Sequence, residues 1–306
     1  MRAAERAKAV GRAAIAAPLE GLRAAVGRRN VNWTPEFMGF GNHLYLWCWA
    51  HSGPADRQHR VVLMTEKMRY WAQYVPEFTR DRIVERGDVS FLDRRGHYWA
   101  ENEKYTGDPR GFTQESRDAF VTEVLLPSPL LQGVRDTPYA NDDVIVVNVR
   151  RGDYYSDPFH RPRHAMDIVA YLREAVPRSI EHDGPVERLH LVSDDIGWCV
   201  DHLSWLESYG RLTHQSPDAT PASSFRDLCS ARRLVMTNST FSMWAAFVST
   251  ALYGDNLAKI WAPAFFMSTY APGRCYEYDQ GWSFVDDLPG GWQPEWLLRG
   301  EEDPPG

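Results

Sequence analysis

The sequence predicts an α/β protein built on a parallel sheet, and three observations carry that expectation. Short apolar, partly β-branched runs at 144–149, 189–193 and 234–237 have the length and composition of buried strands. Each run ends in a polar cluster: Arg150-Arg151-Gly152-Asp153, then Asp194-Asp195, then Asn238-Ser239-Thr240. Stretches with helical spacing lie between them, and strand–helix–strand units of this kind close right-handed into parallel pairs. All three clusters therefore fall on one edge of the sheet, where open α/β sheets bind their ligands.

Taken in chain order, the first segment is an Ala/Arg-rich, helix-prone stretch, 2–17, stopped by Pro18. Within 1–29, Arg2, Arg6, Lys8, Arg12, Arg23, Arg28 and Arg29 face only Glu5 and Glu20. Its longest apolar run, 13–17, is too short for a signal core or a membrane span. The expectation is a solvated basic leader whose one membrane role is weak contact with an anionic surface. Gly39-Phe40-Gly41-Asn42-His43 then precedes an aromatic stretch, 44–49, while 51–140 carries no recognisable motif.

In the 144–149 strand, two guanidiniums at the C-terminal end are costly unless an anion meets them. A diphosphate is the simplest anion that suits two planar, permanently charged forks. Helix 165–176 is expected to stop at Pro177, and 224–233 is the second predicted helix. The apolar segment 241–252 has no Gly or Pro until Gly254, and Asn238 or Ser239 is its natural N-cap. The first free amides of that helix make an anion site. Arginines, a carboxylate pair and a hydroxyl-rich helix start on one edge describe a nucleotide pocket.

Composition narrows the classes further. At 306 residues the chain suits two α/β lobes, and its net charge of -7 argues against nucleic-acid binding, which demands a basic face. Twelve tryptophans favour a carbohydrate surface mildly, though core packing accounts for most of them. Cys48, Cys199, Cys229 and Cys275 have no metal-ligand or paired spacing, which fits a reduced, cytoplasmic setting. His160 and His164 are separated by Pro162, which disfavours a helical ligand pair. No Asp-x-Asp occurs, so arginines rather than a divalent metal are the expected counter-charge, and no metal site or cofactor is predicted.

With these motifs in hand, the chain resembles the α-1,2-fucosyltransferase family. The resemblance rests on Arg150-Arg151-Gly152-Asp153-Tyr154, Ser193-Asp194-Asp195 and the run from Thr237 to Ala246, in that order. Gly39 to His43 is similar to the family's N-terminal glycine motif. Three departures stand out: Asn148 where the family has His, Met243 where it has Trp, and Ser224 where an Asp is common. The resemblance implies a GT-B-like fold of two Rossmann-like lobes. It places an acceptor-side lobe at 30–140, a GDP-fucose-binding lobe at 141–287 and a tail at 288–306, of which 301–306 reads as disordered. It implies metal-independent, inverting transfer of L-fucose from GDP-fucose to a glycan hydroxyl, a galactoside in α-1,2 linkage being the expected acceptor.

The roles this implies follow charge. Arg150 would stabilise the leaving diphosphate, and Arg151 would support it or hold a structural ion pair, because adjacent side chains on an extended segment leave on opposite faces. Ser239, Thr240 and Phe241, with Asn238, would cradle phosphate. Asp194 and Asp195 would accept hydrogen bonds from ribose or base. Asn42 and Asn148 would add donor contacts. Asp153 is the first candidate for a general base, ahead of Asp157 and His160. Two other readings are weighed against this one: a different sugar-nucleotide enzyme on the same fold, and an adhesion module displaying Arg151-Gly152-Asp153.

Overall fold

The computed structural model describes residues 29–53, 60–96, 113–269, 275 and 277–301, together with positions 18, 21 and 22. The predicted leader and the 301–306 tail therefore lie almost wholly outside the described residues. The chain divides into two compact units, 1–120 and 121–306.

The first unit contains β1 (Asn30–Asn32), α1 (Phe40–His51), β2 (Arg60–Leu63), α2 (Glu66–Ala72), α3 (Pro76–Arg82), β3 (Ile83–Val84), β4 (Arg94–Gly96) and α4 (Gln114–Phe120). Its strands pair in parallel in the order β3-β2-β1-β4. The aromatic stretch that follows the glycine motif is the middle of α1, and Leu44, Tyr45, Leu46, Trp47 and Cys48 are all buried. A helix apolar on every side belongs inside a core. Phe40 stacks on Trp71 with ring centroids 3.5 Å apart, and the Trp47 indole N–H donates to Met68 Sδ at 3.4 Å. His43 is fully enclosed; burial, then Lys67, pushes its imidazole down to about 4.

Arg29 corrects the predicted leader boundary. Its guanidinium donates to Asp93 at 2.9 Å, and the Asp93 side chain is fully buried. Its carbonyl accepts from Arg94 N–H at 3.0 Å. A buried carboxylate left without a cation is strongly destabilising, so Arg29 belongs to the sheet unit.

The second unit holds β5 (Val144–Val149), α5 (Gly152–Ser156), α6 (Arg161–His164), α7 (Ile168–Asp183), β6 (Arg188–Ser193), α8 (Ile196–His202), β7 (Arg211–His214), α9 (Pro221–Ser230), β8 (Arg233–Val235), α10 (Thr240–Tyr253), β9 (Ile260–Pro263), β10 (Ser283–Val285) and α11 (Glu295–Arg299). All six strands are parallel, in the order β10-β9-β8-β5-β6-β7. Ile145, Val147 and Val149 share one core with Leu172 and Val176 of α7. α9 and α10 pack against each other, with Trp244 fully buried; truncating such a tryptophan to alanine costs about 3–5 kcal/mol. Thus the predicted α/β class holds, with a parallel sheet in each unit.

Several predicted boundaries are corrected. Pro177 does not stop α7, which runs on to Asp183. Proline inside a helix costs about 3 kcal/mol. Here the last turns are held by tertiary contacts: Ser179 is buried, and its carbonyl accepts from Arg233 Nη2 at 3.0 Å. Arg233 itself, predicted to end a helix, begins β8 and is buried, and its guanidinium also donates to the Asp142 and Gly184 carbonyls. That helix starts instead at the Thr220 capping box, with Pro221 in the first turn where its missing N–H costs nothing. The same logic admits Pro162 into α6, so His160 and His164 do share one helical turn, with ring centroids 5.9 Å apart. The 288–306 tail is corrected too, because Leu288 and Leu297 are buried in the core.

Candidate functional site

The strand order reverses at β5. The chain moves outward through β6 and β7 on one side, then crosses to β8 and moves out through β9 and β10 on the other. Beyond the C-terminal ends of β5 and β8 lies the topological switch point, where doubly wound sheets bind ligands. Its two walls are the segments 150–154 and 237–241, both chosen from the sequence. Arg150 N–H donates across the crevice to Thr237 Oγ1 at 2.9 Å, tying one wall to the other.

Sheet register decides what meets the arginines. Val149 is paired with Ser193, so the next residues out, Arg150 and Arg151, run beside Asp194 and Asp195. Arg150 Nη1 donates to Asp194 Oδ2 at 2.6 Å, and Nη2 to Asp153 Oδ1 at 2.5 Å. Arg151 N–H donates to Asp194 Oδ1 at 2.8 Å. Burial alone would draw the Arg150 guanidinium down, but Asp194, Tyr154 and Asp153 outweigh it and its pKa lies above the ordinary arginine value. The side chain is charged throughout the working pH range.

The two arginines part ways. Arg151 is flanked by Tyr155 and Trp198, with its guanidinium carbon 4.5 and 4.3 Å from their ring centroids, and its Nε lies 3.4 Å from Asp195 Oδ2. It is gripped by the protein. Arg150 rests over the Tyr154 ring at 5.2 Å, and Tyr154 in turn stacks on His164 at 4.5 Å. Burial pushes the Tyr154 phenol up to about 12 against the pull of Arg150. Burial, then His160, pushes the His164 imidazole down to about 4, so that ring is neutral at physiological pH.

On the opposite wall, α10 starts where expected, and Ser239 rather than Asn238 is its N-cap. Ser239 Oγ accepts from Phe241 N–H at 3.2 Å. Asn238 is corrected as a donor contact: it is fully buried, and its amide donates to the His164 and Phe266 carbonyls. Since the Phe241 amide is occupied by the cap, the half-buried Thr240, at the first helical position, is the residue of this wall best placed to offer its N–H and hydroxyl to an anion.

Asp194 and Asp195 are likewise engaged inside the protein, in place of the free acceptors the sequence suggested. Asp195 caps α8 by accepting from Trp198 N–H at 3.2 Å. Asn148 is buried one residue short of the strand end; its amide donates to the Val192 carbonyl at 3.2 Å while Oδ1 is buried without a partner. Asp157 accepts from Phe159 N–H in a local turn, and His160 is the N-cap position of α6. Asn42 belongs to the other unit, in the first turn of α1. Ser224, at the third departure from the family pattern, donates to Gln215 Oε1 at 3.3 Å.

Sequence reasoning held Thr237, Tyr154 and Gly152 only as members of motifs, with no role of their own, and it missed Trp198. A Cβ added at Gly152 would lie 2.3 Å from Asp194 Oδ2. Gly152 entered the sequence reading only as a member of the arginine motif, whereas it is the space into which Asp194 fits. The arginine triplet does not form an adhesion loop, because Gly152 and Asp153 open helix α5. Among the described residues no group of three or more His, Cys, Asp and Glu side chains is placed to hold a metal ion, and no helix is long and apolar enough to cross a membrane. Cys48, Cys199, Cys229 and Cys275 are all buried.

Residues 114–274 match glycosyl transferase family 11. Among curated proteins, the chain is similar to galactoside alpha-(1,2)-fucosyltransferase 1 of Homo sapiens, 30% identical over 104 residues. The same enzyme of Lagothrix lagotricha is 31% identical over 104 residues, and that of Gorilla gorilla gorilla is 30% identical. In each case the aligned stretch is 34% of this chain and spans only 28% of the relative's length.

Proposed function

This chain belongs to glycosyl transferase family 11, and from that premise we propose that it transfers L-fucose from GDP-fucose to a hydroxyl of a glycan acceptor, with inversion and without a metal. The observation that supports this most directly is the placement of Arg150 at the switch point, where its backbone N–H bonds to Thr237, three residues before α10 begins. On this reading the two parallel-sheet units are the two Rossmann-like halves of a GT-B-like enzyme.

The diphosphate lies between Arg150 and the Thr240 amide. As the fucose–phosphate bond lengthens, negative charge grows on the departing oxygen and the sugar ring gains positive character. A guanidinium already fixed at the site stabilises that charge without reorganising, the usual source of large rate effects. The acceptor hydroxyl attacks the opposite face of the sugar and gives its proton to a carboxylate; Asp153, the more exposed of the two carboxylates that hold Arg150, is the candidate. A galactoside acceptor and an α-1,2 linkage are carried over from the galactoside alpha-(1,2)-fucosyltransferases that the chain is similar to.

Asn148 and Ser224, both departures from the family pattern, favour testing a second donor class. Incubation with GDP-fucose, other GDP-sugars and UDP-sugars against a glycan panel, followed by product linkage mapping, tests the proposal. Fucosylated product from GDP-fucose alone is the expected result. Turnover only with a UDP-sugar would replace the donor assignment, and no nucleotide release from any donor would overturn the reading.

A further inference from the structure

The guanidinium of Arg150 is divided between two carboxylates that are held very differently. Asp194 is fixed from three directions: Oδ2 accepts from Arg150 Nη1 at 2.6 Å, Oδ1 accepts from Arg151 N–H at 2.8 Å, and the carboxylate fills the space above Gly152. The Asp153 carboxylate meets Arg150 in a single 2.5 Å contact, from the first turn of a short helix. Its side chain is 49% exposed against 28% for Asp194. A diphosphate reaching this arginine brings a third anion to a fork already serving two. One partner must give way.

We propose that donor binding proceeds by partner exchange at Arg150, with Asp153 the carboxylate displaced and Asp194 the positioning residue that keeps the guanidinium aimed while the exchange occurs. The inference rests on the nucleotide-diphosphate reading given above. Like charges then repel Asp153 from the phosphate, which turns its freed oxygens toward proton acceptance. In the transfer step the acceptor O–H bond breaks and its proton passes to Asp153. The acceptor oxygen bonds to the sugar carbon, and the electron pair of the carbon–oxygen bond to phosphate leaves with the diphosphate against Arg150. While no donor is bound, the same carboxylate is occupied by the arginine. The base is therefore released by the donor itself, and the donor binds before the acceptor reacts.

Calorimetric titration of the full chain with GDP and with UDP, for the wild type, Asp153→Asn and Asp194→Asn, tests the exchange with no turnover needed. Asp153→Asn removes the internal competitor and is expected to bind the diphosphate about two- to fivefold more tightly, the range of an exposed ion pair. Its kcat should fall while its donor KM falls with the binding constant, and Asp153→Glu should restore part of kcat. Asp194→Asn is expected to weaken binding tenfold or more; if its melting point collapses, Gly152→Ala displaces the same carboxylate without deleting it. Weaker binding by Asp153→Asn, or equal shifts in the two variants, overturns the exchange. If the wild type binds UDP in place of GDP and Asp153→Asn tightens UDP, the exchange stands and only the guanine assignment fails. If neither nucleotide binds the wild type, the nucleotide reading fails and the exchange goes with it.

Discussion

Adding one methyl group at Gly152 is the most economical way to disturb this site. Gly152 adopts a backbone conformation open to any L-residue, so Gly152→Ala imposes no strain of its own. The new Cβ would sit 2.3 Å from Asp194 Oδ2 and 3.2 Å from Asp194 Cγ. Ordinary contact requires the carboxylate to retreat by roughly 1 Å. That stretches both the 2.6 Å bond to Arg150 and the 2.8 Å bond to Arg151 N–H. Hydrogen bonds to charged groups are worth about 1.5–3 kcal/mol each. Both side chains are a quarter to a third exposed, so water recovers part of this. A net loss of about 1–2 kcal/mol in the aim of Arg150 is a fall of about 5- to 30-fold in kcat/KM. Stability should hardly move, because alanine in the first turn of α5 gains about 0.5–1 kcal/mol over glycine and offsets the lost contacts. The assay is kcat/KM for donor turnover beside a thermal melt, repeated in the Asp194→Ala background. There the alanine should have little further effect, since the clash has gone. Full activity of Gly152→Ala, or a loss that simply adds to that of Asp194→Ala, would refute the account.

Arg150→Lys keeps the charge but loses the fork that serves two carboxylates, and kcat/KM is expected to drop by roughly 10²–10³ in a folded protein; Arg151→Lys, which leaves the space between Tyr155 and Trp198, should show mainly in the melt. Turnover should survive EDTA nearly unchanged, and loss restored by Mn²⁺ or Mg²⁺ would count against the arginine mechanism. Asn148→His should leave transfer within about tenfold, measured as kcat/KM for GDP-fucose; inactivation would mean that this buried position has been rebuilt around the amide. The pH dependence of stability follows from the histidines. Burial first holds His43 and His190 down to about 4, against about 6.5 when unfolded. Between those values the unfolded chain binds protons the folded chain refuses, so stability is complete above pH 6.5 and falls towards pH 4. The loss is roughly 3 kcal/mol per fully buried imidazole, to order of magnitude. Asp227, raised by burial to about 6, runs the other way, losing stability as pH rises towards 6, and offsets part of the slope. Urea melts at pH 7 and pH 5 read the balance; His190→Gln should flatten the difference, and identical wild-type midpoints would refute the assignment.

The sequence alone determined those parts of the protein whose cause is local. A dense apolar run such as Val144–Val149 has few alternatives to a buried strand, and 241–252, apolar with a hydroxyl before it and a glycine after it, can only be a buried capped helix. Arg150 could be chosen as a site residue for the same reason, since two guanidiniums at the end of such a strand demand an anion. The sheet of the first unit stayed hidden because β1, β2 and β4 are three or four residues long and carry Asn or Arg where apolar alternation would be the signal. Pro177 was misread because the contacts that carry α7 past it come from Arg233, a residue 54 positions from Ser179. The site turned on a similar distance. Asp194 meets Arg150 across 44 residues, and it does so because β5 and β6 pair with Val149 beside Ser193. A slip of one residue would hand Arg150 to a different carboxylate and leave Gly152 with nothing to accommodate. Register is set by the packing of whole sheet faces, a property of many distant residues at once, and no local pattern in the chain carries it.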